Sequence, residues 1–458
     1  MTHDLIVIGG GMAGLPFASK AAYKGLNTAL VERELLGGTC LNRGCIPTKS
    51  MIACAGVAQI VRRAGEYGVQ AGTPHVDLSA VVDRKDRIVT GIRDGAYRGA
   101  SKNERLTLVE GEARLEGTGR VRVGERLLEA PRIVINVGAR PGIPPIDGLS
   151  DISFLTSREA LELRQLPDHL VVIGGGYVGV EFSQMYARFG SRVTVVQRSG
   201  RLVPGEEPEI SEALAEAFEE EDITIHTSTE AIRAERTDGG IRVSIRRNGD
   251  EEWIEGSHLL VAAGRLPNTT DLGLDAAGVE TDEQGFIRVD DRFRTTADGV
   301  YAMGDVTGEP MFTHSARDDA DLLYRIVVKD DAGATPQGRV VPHAVFTDPE
   351  IASVGLTESA ARGEGFDVSV NIQDFLGVAR AKAAGTTRGL IKLVGDRQSG
   401  RLLGGHILGP SAGELIHEIT LALMLEARAG DLARMIHVHP TLSEGINAAA
   451  GGVHRPAG

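Results

Sequence analysis

The 458-residue sequence predicts an α/β architecture, with two parallel βαβ units followed by a smaller α+β domain. Three observations carry that expectation. An apolar run ending in a glycine-rich turn occurs twice, as Leu5–Ile8 before Gly9, Gly11 and Gly14, and as Leu170–Ile173 before Gly174, Gly176 and Gly179. In each case a helical pattern and a second apolar run follow. The first copy closes on Glu32 and the second, at the same spacing, on Gln197. From about Val341 the pattern changes to short apolar segments and one amphipathic helix, which reads as an antiparallel sheet with a helical layer.

In the first unit, Leu5–Ile8 reads as a buried strand, Leu15–Lys24 as a helix and Thr28–Val31 as the next strand. Glycines at G-x-G-x-x-G spacing allow a tight turn and close backbone approach to a pyrophosphate. The helix N-terminus adds N–H groups and dipole. Glu32 can accept hydrogen bonds from a ribose, so a Rossmann-like dinucleotide site is expected here.

The stretch Gly37–Ser50 holds two of the three cysteines, Cys40 and Cys45, with four residues between them. In an ideal helix, residues five apart have Cα atoms roughly 8.6 Å from each other, whereas a disulfide needs less than about 7 Å. If these thiols pair, the backbone between them is irregular, and Gly44 and Pro47 tolerate that. Spacing alone leaves two packed structural thiols as the alternative. Lys49, one turn beyond Cys45, is placed to stabilise developing negative charge. Met51–Ala64 continues as a helix and carries Cys54, read as a core thiol.

Leu78–Gly99 reads as a charged helix with a solvated face. Leu106–Val109, Ala113–Leu115 and Val121–Val123 suggest short antiparallel strands. Ile133–Val137 returns to the first unit and ends at Gly138, with Pro141–Pro145 as a connector. In the second unit Tyr177–Phe189 is the helix and Arg192–Val196 the strand. Gln197 removes the acid that repels a 2′-phosphate, and Arg198 and Arg201 can pair with one, which favours NADPH, with NADH as the alternative. Glu207–Glu221 reads as an exposed acidic helix. Gly264–Asn268 and Gly304–Asp305 follow apolar strands, and Asp305 can face a flavin ribityl chain. In the last domain His439 and Glu444 lie five apart across Pro440, a spacing at which a carboxylate can fix an imidazole tautomer.

Two dinucleotide units and a cysteine pair suggest a relay. Nicotinamide reduces a disulfide poorly, so FAD in the first unit is the sensible intermediary, with the nicotinamide nucleotide in the second. The formal net charge of −14 and pI near 5.4 disfavour nucleic-acid and anionic-membrane binding. Three cysteines are too few for a secreted disulfide framework. No leader and no apolar stretch near 18 residues is apparent, so a soluble cytoplasmic protein is expected.

With these landmarks together the sequence resembles the class I pyridine nucleotide-disulfide oxidoreductases, which include dihydrolipoamide dehydrogenase, glutathione reductase and mercuric reductase. The matching segments are Gly9–Gly14, Gly38–Ser50, Gly174–Glu181, Gly264–Asn268, Gly304–Asp305 and His439–Glu444. The resemblance implies a glutathione reductase-like fold. Residues 1–145 and 270–335 would form the FAD-binding domain, 146–269 the NAD(P)H-binding domain and 340–458 the dimerisation domain. It implies Cys40 as the thiol that meets substrate and Cys45 as the flavin-side thiol. Lys49 and Glu181 would pair beside the flavin, and Tyr177 would cover the nicotinamide pocket. His439, assisted by Glu444, would serve the other subunit of a homodimer with composite active sites. Cofactor contacts would come from Gly9, Gly11, Gly14, Glu32, Arg33, Gly38, Thr39, Gly138, Gly174, Gly176, Gly179, Gln197, Arg198, Arg201, Gly264 and Asp305.

The stretch Met311–Asp319 is similar to that of mercuric reductases and related stress-response flavoproteins, which suggests a soft-metal or small thiol-reactive acceptor. Mercuric reductases end in a further cysteine pair, and Gly451–Gly458 has none. Hg(II) would then sit transiently on Cys40 and Cys45 alone, with no structural metal. The alternatives are an NAD-linked dihydrolipoamide dehydrogenase and a thiol-independent NAD(P)H oxidase or quinone reductase.

Overall fold

The structure, a computed structural model, describes residues 2–453; the last residues of the cysteine-free tail, 454–458, lie outside it. Strands Val300–Ala302, Ile133–Ile135, Leu5–Ile8, Thr28–Glu32 and Leu106–Glu110 form, in that spatial order, a five-stranded parallel sheet. Ile6, Val7, Leu30 and Ile133 are fully buried, as near-continuous apolar runs covered on both faces require. Leu106–Glu110 corrects an expectation: it pairs parallel to Thr28–Glu32 and does not join an antiparallel group. It is an edge strand, buried at Leu106 and Val109 and exposed at Thr107 and Glu110, and such a pattern does not encode strand direction. The antiparallel trio consists of Ala113–Leu115, Arg120–Val123 and Arg126–Glu129.

The second parallel sheet runs Thr224–His226, Arg192–Val196, His169–Ile173, His258–Val261. An antiparallel sheet of Glu230–Thr237, Gly240–Arg247 and Asp250–Gly256 lies beside it in sequence. Its third strand is charged and mostly exposed, which hides it from apolar patterning. A two-stranded ribbon, Ala139–Pro141 against Arg265–Pro267, carries the chain out of the first sheet and back.

The C-terminal sheet is antiparallel, ordered His343–Val345, Glu350–Gly355, Leu402–Gly409, Leu390–Asp396, Val368–Asp374. Helices Ala412–Met424 and Glu444–Val453 bury Ile416, Ile419, Ile446 and Ala449 in its core.

Two further expectations are corrected. The acidic helix spans Pro208–Glu219 and is amphipathic, with Ile210, Leu214 and Phe218 buried. Glu206 and Glu207 are each 2% exposed. Glu207 is compensated by Lys392, itself 1% exposed, from a distant strand, so nothing local to the helix reveals its burial. The helical stretch Gly38–Tyr67 contains an 18-residue window of mean hydropathy 1.3 and is long and apolar enough by length and composition to cross a membrane. It is interrupted at Gly44 and packs against the helices Leu78–Ser101 and Tyr177–Phe189.

Candidate active site

The first glycine turn admits no side chain. A Cβ on Gly9, where φ is +103°, would lie 2.2 Å from Asn136 O, and one on Gly14 would lie 1.9 Å from Gly9 O. Gly38, at φ +58°, brings the cysteine-bearing helix against the turn, since its Cβ would stand 2.8 Å from Gly11 Cα. Glu32 ends its strand with Oε2 accepting the Gly10 N–H and Oε1 the Glu34 N–H, both at 2.8 Å. Burial pushes this carboxyl above its usual range, against the backbone donors and Arg33. Arg33 lies 3.5 Å from Glu112. Gly9, Gly11, Glu32, Arg33 and Gly38 line a cleft of about 1880 Å³ together with Thr39, Gly138, Asp305 and both cysteines. Asp305 accepts a 3.3 Å hydrogen bond from Arg265. A side-chain-free cradle opening into so large a cleft, with a carboxylate at the adjoining strand end, fits FAD.

The second turn repeats this construction. A Cβ on Gly174 would meet Ala262 O at 2.4 Å and one on Gly179 would meet Gly174 O at 1.8 Å, while Gly176 has open space. Gly264, at φ +122°, is likewise open. Gln197 Oε1 accepts the Gly175 N–H at 2.8 Å, in the same register as Glu32 and Gly10. The amide keeps the acceptor and drops the charge. Arg198 is exposed. Arg201 is turned into its own loop, donating to Pro204 O at 2.9 Å and Glu206 O at 3.1 Å.

The irregular backbone between the thiols is at Gly44, with φ −134° and ψ −115°. One helix, Gly38–Arg43, ends there and another, Cys45–Arg63, begins. Cys40, Cys45 and Cys54 are free thiols. A hydrogen bond from Cys40 holds the Cys45 thiol down at about 6, against burial and with help from Thr313 and Lys49. Thr313 Oγ1 lies 3.4 Å from Cys45 Sγ. The same Cys40–Cys45 contact, then burial, pushes Cys40 up. Lys49 Nζ pairs with both Glu181 oxygens at 2.8 Å and lies 4.7 Å from the Phe346 ring centre. Glu181 is 6% exposed and also accepts the Phe346 N–H at 2.9 Å. Cys54 donates to Ser50 O and packs on the core.

Tyr177 and Glu181 lie one turn apart on the same helix and both line the cleft. The Tyr177 hydroxyl donates to Glu206 Oε1 at 2.7 Å. Burial, then the Glu206 charge, pushes Tyr177 upward. Sequence reasoning missed Glu206 and His343, and it singled out the stretch holding Phe312 and Thr313 without giving either residue a role. Their chemistry depends on contacts between segments far apart in the chain, and no local pattern marks them.

His439 Nδ1 lies 3.0 Å from Glu444 Oε1, whose Oε2 accepts the Thr441 N–H at 2.9 Å. The pair is preassembled, but His439 is exposed and does not line the cleft that holds Cys40 and Cys45. In the same domain Leu421, Met424, Leu425, Ile436 and Val438 are exposed, apolar side chains of the kind that an interface covers. Among the described residues no cluster of three or more His, Cys, Asp or Glu is arranged to hold a metal ion.

Comparison with known proteins identifies the family. The family described as pyridine nucleotide-disulphide oxidoreductase matches residues 3–320, and its dimerisation domain matches residues 341–450, which supports a homodimer. Dihydrolipoyl dehydrogenase 2 of Haloarcula marismortui is 39% identical, over 98% of this chain and 96% of the relative. Mercuric reductase of Streptomyces lividans is 38% identical, over 98% and 95%. The HOCl-induced flavoprotein disulfide reductase RclA from Escherichia coli superposes with TM-score 0.88 at 30% identity, covering 98% of this chain and 99% of that one. A Cu(II) complex of RclA superposes with TM-score 0.89, again at 30% identity and over 98% and 99% of the two chains. The chain therefore belongs to the class I pyridine nucleotide-disulfide oxidoreductases, glutathione reductase-like enzymes that depend on FAD and a pyridine nucleotide.

Proposed function

We propose that this enzyme uses NADPH to reduce a soft metal ion or a small thiol-reactive acceptor through the Cys40–Cys45 pair, in the cytoplasm. The observation that carries the NADPH preference is Gln197, which takes the Glu32-type hydrogen bond without a negative charge and is followed in the chain by the exposed Arg198. A 2′-phosphate then meets attraction and no repulsion. Arg201, occupied by its own loop, adds positive field more than direct contact.

FAD, held by the Gly9–Gly14 turn, Glu32, Gly38, Thr39 and Asp305, supplies two-electron transfer between nicotinamide and disulfide when bound. The chain's residues arrange the rest. Tyr177 covers the nicotinamide side of the cleft. The Lys49–Glu181 pair fixes a positive charge one turn from Cys45. Cys45 carries the thiolate charge of the reduced pair, and Cys40 offers its sulfur to the acceptor. His439 of a second copy, its Nδ1 tied to Glu444, holds or gives the proton that Cys40 exchanges. Two sulfurs at one site suit soft cations, and RclA, solved with Cu(II), is a close structural relative.

Dihydrolipoamide dehydrogenase is the second reading, supported by the 39% identical relative of that name. The discriminating experiment compares kcat/KM for NADPH and NADH against Hg(II), Cu(II), lipoamide, glutathione disulfide and a quinone. The expected result is NADPH-linked metal reduction that is lost in Cys40→Ser. Efficient NAD⁺ reduction by dihydrolipoamide, with negligible metal reduction, would promote the second reading. Turnover that survives Cys40→Ser with all disulfides inactive would indicate a thiol-independent oxidase.

A further inference from the structure

We propose that Glu206 and His343 form a latch on Tyr177, holding its ring across the nicotinamide pocket until the hydride donor displaces it. This rests on the reading of Tyr177 as the cover of that pocket and adds what holds the cover shut.

Tyr177 opens its helix directly after Gly176, between the second phosphate turn and Glu181. Its hydroxyl donates to Glu206 Oε1 at 2.7 Å. His343 Nε2 reaches the same oxygen at 2.6 Å, and Ser353 Oγ donates to Oε2 at 2.5 Å. The three donors turn a buried carboxylate, costly if unpaired, into a fixed acceptor. They outweigh burial and hold the Glu206 carboxyl down at about 2. The ring of His343 stacks on Phe312 at 5.3 Å and 4°, and Tyr177 lies 5.4 Å from the His343 ring centre.

The partners come from different parts of the chain. Tyr177 and Glu206 flank the second parallel sheet, whereas His343 and Ser353 sit on the C-terminal sheet. Glu206 is therefore fixed from one sheet and presented to a ring that belongs to another. The ring must break a charge-assisted hydrogen bond when a nicotinamide enters. Apparent affinity is the intrinsic affinity reduced by the open fraction, so the latch weakens binding of the full dinucleotide and of nothing that stops short of the nicotinamide.

The test is calorimetric titration of the oxidised, FAD-loaded enzyme with NADP⁺ and NAD⁺. Each is paired with its ADP-ribose-type fragment, which lacks the nicotinamide ring. Glu206→Gln and Tyr177→Phe should tighten the full dinucleotide by roughly tenfold, the equivalent of one charge-assisted hydrogen bond, and leave the fragments unchanged. The double variant should gain nothing more. Wild-type affinities in Glu206→Gln and Tyr177→Phe, with an altered dinucleotide-to-fragment ratio in Tyr177→Ala, would overturn the latch and keep the cover. An unchanged ratio in Tyr177→Ala would overturn the cover itself, and the latch with it. Equal gains for dinucleotide and fragment would also overturn the latch, since the effect would then lie in the loop. If Glu206→Gln fails to fold with flavin, Tyr177→Phe, which removes one oxygen and keeps the ring, decides the matter.

Discussion

Removing the Cys40 thiol should raise the titration midpoint of Cys45. The Cys45 thiol is held at about 6 in place of its ordinary 9.0, and the largest cause is the hydrogen bond from Cys40. That depression corresponds to ~4 kcal/mol at 1.36 kcal/mol per unit. A hydrogen bond to a charged acceptor contributes about 1.5–3 kcal/mol, or roughly one to two units. Cys40→Ala should therefore move the midpoint to about 7–8, and Cys40→Ser, which keeps a donor, should move it less. Thr313→Val removes a longer contact of 3.4 Å and should shift it by less than one unit. The assay is alkylation rate against pH for the reduced protein in a Cys54→Ser background, with Cys45 followed by peptide mass spectrometry. A midpoint that stays near 6 in Cys40→Ala would refute the assignment and transfer the stabilisation to Lys49 and the helix N-terminus. The sign of the linkage is also fixed. A depressed thiol pKa stabilises the reduced fold fully above the unfolded value, and that contribution is lost as pH falls through about 6.

Mixing a Cys40→Ala chain with a His439→Ala chain should restore activity to their heterodimer, which has one site with both residues intact; purified heterodimers without activity would refute the cross-subunit site. Gly14→Ala should prevent flavin loading, read from the absorbance of the purified protein, because its Cβ would lie 1.9 Å from a backbone oxygen. Lys49→Met leaves the buried Glu181 with the Phe346 N–H in place of its cation. A cost of about 1–3 kcal/mol in denaturant titration is expected, lower than for a fully buried pair because Lys49 is 32% exposed, and Glu181→Gln added to it should recover part of the loss. Gln197→Glu should shift kcat/KM from NADPH toward NADH.

Much of this arrangement was legible in the sequence because the chemistry was local. Each glycine turn is encoded within six residues, and the break at Gly44 follows from the spacing of the thiols. The Lys49–Glu181 pairing came from family resemblance and the His439–Glu444 pairing from their spacing across Pro440, and the structure places each within hydrogen-bonding distance. What stayed hidden depends on distant partners. Glu206 and Glu207 look like a solvated acidic start to a helix, and partners distant in the chain, His343, Ser353 and Lys392 among them, make their burial tolerable. Leu106–Glu110 is legible as a strand, but its direction is set by the neighbour it pairs with.

The edge strand Val300–Ala302 has a consequence for biosynthesis. It pairs with Ile133–Ile135, and so completes a sheet whose other strands end by residue 135. A ribosome extends this chain from its N-terminus, so the second parallel sheet, whose last strand is His258–Val261, is fully emerged before the first can close. The flavin cradle is thus begun first and finished second. During that interval the edge of Ile133–Ile135 is unpaired and available to other strands. Nascent chains stalled before residue 300 should be the ones that require chaperone protection.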